Sequence, residues 1–233
     1  MTQKKLHVLY EDNHFIIINK SVSDLVQKDK TGDIALDDKI KKYLKEKYNK
    51  PGNVFIGIPH RIDRPVSGAV IYARTSKALS RMGVMFKDKD VNKVYWAVVK
   101  NKPAMNEGIL ENYMIRNTRQ NKSYISTKDT KDAKLAKLTY KVVAQSDKYY
   151  LIEVNLITGR HHQVRCQLAN MGCPIKGDLK YGFQRSNPDG GINLHARKIS
   201  FIHPVTKEYI DITAPVPDDN LWRAFEKMVD EKL

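Results

Sequence analysis

One short segment, residues 59–73, joins a charged loop to an apolar run and restrains the loop at both ends. The loop reads PHRIDRPVSG and the run that follows reads AVIYA. Pro59 and Pro65 restrict φ, and Gly68 permits backbone conformations that other residues avoid. The apolar run predicts a buried strand. The segment therefore predicts a rigid charged loop beside the core, which is a common place for a functional site.

Asp63 stands between two arginines in this loop, Arg61 and Arg64, and His60 precedes them. Two interpretations fit this arrangement. In the first, the charges form a structural ion-pair cluster that only holds the loop together. In the second, nearby cations keep the carboxylate ionised, so that Asp63 serves as a nucleophile or base at neutral pH. The loop by itself leaves both interpretations open.

The overall charge of the chain indicates an anionic partner. Its 233 residues include 41 Lys or Arg against 26 Asp or Glu, which gives a formal net charge of +15. Such an excess is typical of proteins that bind polyanions, and a generally basic protein without such a partner is the alternative. We expect nucleic acid rather than a membrane, because the sequence has neither a lipidation motif nor a Lys/Arg-rich amphipathic anchor.

Several features favour a cytoplasmic protein without a bound metal. No apolar run approaches the roughly 18 residues that a membrane span needs, and residues 1–6 lack the apolar core of a signal peptide. The two cysteines, Cys166 and Cys173, match no zinc motif and do not suggest a disulfide. The histidines, including the adjacent pair His161 and His162, lack the spacing of a metal site.

Short strands and scattered helices predict the fold class. Apolar alternation and β-branched content indicate strands over residues 6–10, 15–19, 54–58, 69–73, 93–100, 134–144, 150–156, 194–202 and 209–213. Apolar residues at helical spacing indicate helices over residues 34–48, 76–87, 161–171 and 221–228, the second capped by Ser76. Because strands and helices do not alternate regularly, we expect an α+β fold with a mixed, mostly antiparallel central sheet and flanking helices. No composition break divides the chain, so we expect one domain over residues 1–233.

The segment between residues 101 and 141 is polar and strongly basic. Residues 101–133 form a polar stretch with weak periodicity. Eight Lys or Arg and two Asp lie between residues 116 and 141. Tyr124 lies among them, and Tyr113 lies just before them. A basic hairpin with exposed aromatic rings suits RNA phosphates and unstacked bases. A hairpin that is merely solvated is the alternative.

The remaining patterns leave Asp63 as the best candidate for chemistry. The sequence has no P-loop, no dinucleotide fingerprint and no GxSxG motif. Cys166 falls within a predicted helix, so we do not expect a cysteine nucleophile. Tyr95, on a predicted strand, could stack on a base or could be an ordinary packed tyrosine. Arg165, on the helix that follows residues 158–160, could pair with Asp63.

Five motifs in order resemble those of the RluA-type pseudouridine synthases. The family pattern HRLDR followed by Ser-Gly appears here as HRIDRPVSG at residues 60–68, and its KxYxA strand appears as KVYWA at residues 93–97. Its TGRxHQxR helix appears as TGRHHQVR at residues 158–165. The GDxxYG and LHA segments appear at residues 177–182 and 194–196. The resemblance spans about residues 6 to 213, with few departures: Ile62 for Leu, Pro65-Val66 for an acidic-Thr pair, and Gln167 for His.

The resemblance implies a pseudouridine synthase catalytic domain that isomerises uridine to pseudouridine within ribosomal or transfer RNA and needs no cofactor. It implies that Asp63 starts the reaction, either by attacking C1′ or by removing the C2′ proton, and that Arg165 holds Asp63. Tyr95 would stack on the uracil and could take the C5 proton. Because the match begins almost at Met1, we expect no separate S4 RNA-binding domain. We also expect a monomer.

The resemblance also implies a set of residues that contact the RNA or the uridine. Arg61 would fill the gap left by a flipped nucleotide, and Leu194 would form an apolar wall for the base. The full set is His60, Arg61, Arg160, His162, Gln163 and Leu194.

Two other functions fit part of the sequence. A non-catalytic basic RNA-binding protein would carry the same charge, but it would gain nothing from a carboxylate that repels phosphates. A glycoside hydrolase would need a second carboxylate, for which only Asp178 is a candidate. An RNA pseudouridine synthase accounts for Asp63, Tyr95 and Arg165 together.

Overall fold

The computed structural model describes residues 6–28 and 32–232. Within these residues, ten strands form one sheet, flanked by four α-helices and one short 3-10 helix, Leu179–Tyr181. The helices are α1 (Leu36–Lys47), α2 (Ser76–Asp88), α3 (Gln163–Asn170) and α4 (Asn220–Asp230). The strands are β1 (Val8–Glu11), β2 (Phe15–Lys20), β3 (Ser67–Ala73), β4 (Val91–Val99), β5 (Glu107–Asn117), β6 (Lys122–Ser126), β7 (Lys134–Gln145), β8 (Tyr150–Leu156), β9 (Leu194–Ile202) and β10 (Tyr209–Thr213).

The order of strands across the sheet brings distant parts of the sequence together. The strands run β1-β2-β3-β9-β4-β8-β7-β5-β6, and β10 pairs with the C-terminal half of β9. Among the described pairings only β3 with β9 is parallel, which confirms the predicted α+β fold with a mixed, mostly antiparallel sheet. In this order β9 lies between β3, which follows the charged loop, and β4, which carries Tyr95.

Alternation along the strands builds a core on each face of the sheet. In β2, Ile16 and Ile18 belong to the cluster that includes the apolar side of α1. Phe15 and Ile17 belong to the opposite cluster, which contains Met82 of α2. Because successive strand side chains point to opposite faces, the run FIII is buried on both sides of the sheet.

Two predictions about local structure are wrong, and two strands were not predicted. Residues 54–58 form no strand, because they meet β3 at a single bridge, Gly57 with Ala73. Thr75, not Ser76, caps α2, since its hydroxyl accepts a hydrogen bond from the Ala78 N–H. The polar stretch 101–133 contains two strands, β5 and β6, which pair as a hairpin.

Two residues fix the loop of residues 59–66 against the sheet. The buried Lys20 ammonium donates hydrogen bonds to the carbonyls of Ser21, Arg64 and Val66 at 2.9, 2.9 and 2.7 Å. Gly68 has φ +112°, and a Cβ there would lie 2.6 Å from the backbone nitrogen of Ala196 on β9. The end of the loop is therefore held by a buried cation and by a close backbone approach that only glycine permits.

We expect Gly68→Ala to destabilise the protein by about 2 kcal/mol or more, because the added methyl group meets the β9 backbone at an unfavourable φ. Gly83→Ala is the matched control. Gly83 lies within α2 and nothing is within 4 Å of its Cβ position, so alanine there should stabilise the protein by about 0.5–1 kcal/mol. Urea unfolding of both variants measures the difference. Equal stability of the two variants would contradict the close approach.

Candidate active site

Asp63 pairs with an arginine far away in the sequence rather than with its neighbours. Arg165 Nη1 of α3 donates a 3.0 Å hydrogen bond to Asp63 Oδ2. Arg64 instead donates to Asp33 Oδ2 at 2.7 Å, and Arg61 is exposed. Asp63 therefore does not form an ion-pair cluster with Arg61 and Arg64, which was the first interpretation of the loop.

The Arg165 guanidinium is held on its other edge by a second carboxylate. Its Nε donates to Asp178 Oδ2 at 2.7 Å and its Nη2 donates to Asp178 Oδ1 at 2.8 Å. Arg165 and Asp178 are 5% and 1% exposed, whereas the Asp63 side chain is 28% exposed. Bidentate pairing of this kind fixes the plane of the guanidinium as well as its position.

One cation, Arg165, forms ion pairs with two carboxylates, Asp63 and Asp178. Burial acts to lower the pKa of Arg165, but the hydrogen bonds and charges of Asp178 and Asp63 raise it above its ordinary value. Arg165 therefore stays charged at any pH at which the protein is folded. Asp63 Oδ1 accepts no hydrogen bond from the described residues, so one carboxylate oxygen is held and the other is free.

His162 lies behind the carboxylate as a neutral ring. It occupies the left-handed region, with φ 54°, immediately before α3. Its Nε2 is 3.0 Å from Arg165 Nη1 and 3.5 Å from Asp63 Oδ2. Burial, with the nearby Arg165 charge, lowers the pKa of His162 to about 2. The contact with Asp63 is therefore not an ion pair, and His162 faces Arg165 as a neutral partner.

A small pocket opens beside Asp63. It has a volume of about 90 Å³ and is lined by Asp63, Arg165, Tyr95 of β4 and Leu194 of β9, among others. Tyr95 and Leu194 are 8% and 3% exposed. Burial raises the pKa of Tyr95, and the Asp63 charge raises it further, so the phenol is neutral near pH 7. The pocket thus offers a carboxylate, an aromatic ring and an apolar wall in one place.

This pocket opens into a larger groove of about 920 Å³ that is lined by both α2 and the β5–β6 hairpin. Six cations on the groove have no carboxylate within 4 Å among residues 6–28 and 32–232. They contrast with Arg165, whose charge is fully paired. The six are Arg61, Lys87, Lys89, Lys93, Arg116 and Arg160.

The other predicted contact residues lie around the groove in different states. His60 stacks on Phe86 at 4.8 Å and its Nε2 accepts from the Ile71 N–H, while burial and Lys93 lower its pKa to about 3. Arg160 is exposed and its Nε donates to the Leu135 carbonyl. His60 and Arg160 both line the groove, so each lies where a contact with a ligand is possible.

Gln163 is buried, and its amide is engaged within the protein. Its Oε1 accepts from Thr158 Oγ1 at 2.7 Å and from the Arg160 N–H at 2.9 Å. Its Nε2 donates to the Lys137 carbonyl at 3.1 Å. These three hydrogen bonds brace the turn before α3 and hold Arg160 at the groove.

Two residues of the site were not among those expected from the sequence. Asp178 orients Arg165, and the Tyr181 hydroxyl lies 3.0 Å from His162 Nδ1. Both belong to the GDxxYG segment at residues 177–182, which was the signal available in the sequence. Because Arg165 occupies both oxygens of Asp178, this carboxylate is unavailable as the second acid of a glycoside hydrolase, which removes that alternative.

Other features of the described residues bear on the predicted surroundings. Cys166 and Cys173 are both buried and free. Over residues 6–28 and 32–232, no helix combines the length and apolar character that crossing a membrane requires. Within the same ranges, no group of three His, Cys, Asp or Glu side chains is arranged to hold a metal ion.

Known proteins with similar sequences identify the family. The RNA pseudouridylate synthase family matches residues 14–170. A ribosomal large subunit pseudouridine synthase C from Rickettsia prowazekii is 32% identical over 213 residues, which cover 91% of this chain and 68% of that protein. The RNA pseudouridine synthase YlyB of Bacillus subtilis is 30% identical, over 92% of this chain and 70% of its own length.

A solved structure shows the same fold. Human RNA Pseudouridylate Synthase Domain Containing 4 superimposes with a TM-score of 0.79 at 20% identity, over 96% of this chain and 93% of that one. The sequence matches extend through the loop of Asp63, the strand of Tyr95 and the helix of Arg165. The chain therefore belongs to the RNA pseudouridylate synthase family and is an RNA pseudouridine synthase, an isomerase.

Proposed function

We propose that this protein isomerises particular uridines in ribosomal or transfer RNA, with Asp63 as the residue that begins the reaction. The observation that carries the proposal is the state of the Asp63 carboxylate. Oδ2 is held by Arg165 at 3.0 Å, and the same carboxylate lines a pocket with Tyr95 and Leu194. A fixed, ionised carboxylate beside an aromatic ring and an apolar wall suits a flat base and a reacting ribose.

The reaction conserves all atoms of the uridine. The N1–C1′ bond breaks, the uracil turns within the pocket, and a C5–C1′ bond forms; C5 then loses its proton and N1 gains one. Asp63 either attacks C1′ and is later displaced by C5, or removes the C2′ proton and returns it. Both routes need an ionised carboxylate, and Arg165 holds one oxygen of that carboxylate in place. Neither route consumes an oxidant or an energy source, so the proposal includes no cofactor.

Tyr95 and Leu194 enclose the base in the proposed complex. The ring of Tyr95 stacks on the uracil, and Leu194 forms the apolar wall across which the uracil turns. Because the phenol of Tyr95 is neutral, it can accept the C5 proton only as it releases its own. We therefore assign Tyr95 to stacking first.

The groove outside the pocket provides the RNA contacts. Arg61 lies at the mouth of the pocket and fills the gap left by the flipped uridine. Arg160, braced by Gln163, contacts phosphates on one side. Lys87, in the last turn of α2, and Lys89, just after it, contact phosphates on the other side. His60 and the neutral His162 lie along the walls of the groove near the target nucleotide.

The choice of RNA and the cellular setting are part of the same proposal. The relative from Rickettsia prowazekii is named for the large ribosomal subunit, which favours ribosomal RNA. The sheet runs continuously from β1 to β6, which supports one catalytic domain, and we propose that it acts as a monomer. Two free cysteines and an RNA substrate suit the cytoplasm.

Replacement of Asp63 tests the chemistry directly. We expect Asp63→Asn to lower pseudouridine formation by at least about a thousand-fold, because the amide is neither a nucleophile nor a base. RNA affinity should change little, since the pocket keeps its shape. The measurement is pseudouridine in ribosomal and transfer RNA by chemical labelling and sequencing, alongside a filter-binding assay. Turnover at the wild-type rate would contradict the assignment of Asp63 as the residue that begins the reaction.

Replacement of Arg165 tests whether a guanidinium that binds Asp178 and Asp63 together is required. Arg165→Lys keeps the positive charge but supplies a point donor that cannot bind both edges of Asp178 and reach Asp63. We expect single-turnover rates at least about a hundred-fold below wild type, with the protein still folded by circular dichroism. Arg64→Lys is the control, because Arg64 pairs with the exposed Asp33 instead. A nearly wild-type Arg165→Lys enzyme would show that charge alone suffices.

The two lysines at the C-terminal end of α2, Lys87 and Lys89, provide a test of the RNA path. Lys87 and Lys89 line the groove, whereas Lys77 and Arg81 on the same helix are exposed but do not line it. Lys87→Gln with Lys89→Gln should reduce the salt dependence of RNA binding, log K against log salt, by roughly 1.5 in slope. Lys77→Gln with Arg81→Gln removes the same charge and should leave the slope nearly unchanged. Equal effects of the two pairs would indicate general charge attraction rather than this path.

A further inference from the structure

Behind Asp63, a chain of hydrogen bonds runs from the β6 backbone to the carboxylate. The Ser123 N–H of β6 donates to the Tyr181 hydroxyl at 2.8 Å, and that hydroxyl lies 3.2 Å from the Ser123 carbonyl. The same hydroxyl is 3.0 Å from His162 Nδ1. On the other side of the ring, Arg165 Nη1 is 3.0 Å from His162 Nε2 and 3.0 Å from Asp63 Oδ2. Every member except Asp63 is at least nine-tenths buried.

The donors and acceptors in this chain determine which nitrogen of His162 carries the proton. A guanidinium only donates, so His162 Nε2 must accept from Arg165 and carries no hydrogen. The single hydrogen of the neutral ring is then on Nδ1, and it points to the Tyr181 oxygen. That oxygen accepts from Ser123 N–H and His162 Nδ1–H, and its own hydrogen goes to the Ser123 carbonyl. All the hydrogen bonds of the chain are satisfied in this arrangement.

The opposite tautomer would disturb the reacting group. His162 Nε2 lies 3.0 Å from Arg165 Nη1 and 3.5 Å from Asp63 Oδ2, so a hydrogen on Nε2 would face a second donor. Arg165 Nη1 would lose one of its two acceptors, and the imidazole would compete for the carboxylate oxygen that Arg165 holds. A change of tautomer would thus alter the position and the charge environment of Asp63 without removing any charged group.

We infer that Tyr181 is a positioning residue for the isomerisation: its hydroxyl holds His162 in the Nδ1–H tautomer, and this tautomer aims Arg165 Nη1 at Asp63. The inference rests on the proposed function, in which Asp63 reacts. It also ties the β5–β6 hairpin, which contributes Arg116 to the groove, to the orientation of the arginine through Ser123 and Tyr181. The side of the groove where RNA is expected and the reacting carboxylate therefore share one hydrogen-bonded chain.

Tyr181→Phe separates the hydroxyl from the ring. The ring lies 5.1 Å from the guanidinium carbon of Arg165 and 5.1 Å from Lys122 Nζ, and phenylalanine keeps an aromatic ring at that place. The hydroxyl and its hydrogen bonds are lost. Tyr140→Phe is the matched control, because the Tyr140 hydroxyl makes a 3.4 Å hydrogen bond to the Met105 carbonyl and does not line the groove.

The first experiment reads the tautomer by NMR of protein labelled with ¹⁵N at histidine, with His162→Gln to assign the signal. We expect Nδ1–H for His162 in the wild type and in Tyr140→Phe, and a shift toward Nε2–H in Tyr181→Phe. His195 and His203 are internal references for Nε2–H: His195 Nε2 faces the Ala214 carbonyl, and His203 Nδ1 accepts from the Thr206 N–H. An Nε2–H signal for wild-type His162, or no change in Tyr181→Phe, would overturn the inference.

The second experiment measures single-turnover pseudouridine formation at saturating RNA. We expect the rate constant of Tyr181→Phe to fall about tenfold, with RNA affinity close to that of Tyr140→Phe and with the variant still folded by circular dichroism at the assay temperature. A wild-type rate constant in Tyr181→Phe would refute the positioning role. If the wild-type protein forms no pseudouridine in any RNA supplied, the proposed function fails, whereas the tautomer assignment is still decided by the first experiment.

Discussion

The guanidinium of Arg165 is the interaction on which the site depends. It is buried, and burying an unpaired charge is strongly unfavourable. Asp178 offsets that cost through two hydrogen bonds of 2.7 and 2.8 Å, and Asp63 and His162 take the hydrogens of Nη1. These partners come from three separate places: the loop before β3, the residue before α3, and the turn after residue 177. The folded chain must therefore bring all three together before Asp63 has its partner.

The sheet brings these places together through one unusual pairing. β3 and β9 run parallel where Gly68 meets Ala196, which brings the loop of Asp63 beside the strand of Leu194. Lys20 holds the end of that loop by donating to three backbone carbonyls, although burial lowers its pKa to about 7. A buried lysine is retained because the loss of its hydrogen bonds would leave several carbonyl groups unsatisfied. The position of Asp63 thus follows from main-chain packing and not from the charges next to it in sequence.

Sequence patterns predicted the parts of this structure that have a strong period. The bounds of β8, β9 and β10 were predicted correctly, because apolar residues fill these strands or alternate along them. β5 was missed because its apolar residues stand side by side instead of alternating with polar ones, and most of the strand is exposed or half-buried; it is paired with β7. Neighbouring charges suggested Arg61 and Arg64 as partners of Asp63. The pairing of Asp63 with Arg165 was instead expected from the resemblance to the RluA-type pseudouridine synthases, and Asp178 was not foreseen as the second partner of Arg165. Ion pairs between residues about a hundred positions apart depend on topology, which local periodicity does not contain.

The pocket contains the groups for the reaction, and the groove contains the groups for RNA recognition. The pocket of about 90 Å³ contains Arg165, which is already paired with Asp178, and it shares Arg61 and Arg160 with the groove. The groove of about 920 Å³ carries cations without carboxylate partners among the described residues, including Lys87, Lys89 and Arg116. Every uridine has the same base and ribose, so the pocket cannot distinguish one uridine of an RNA from another. In the proposed reaction, the choice of uridine must come from the groove, where phosphate contacts set the path of the RNA and the β5–β6 hairpin contacts the neighbouring nucleotides.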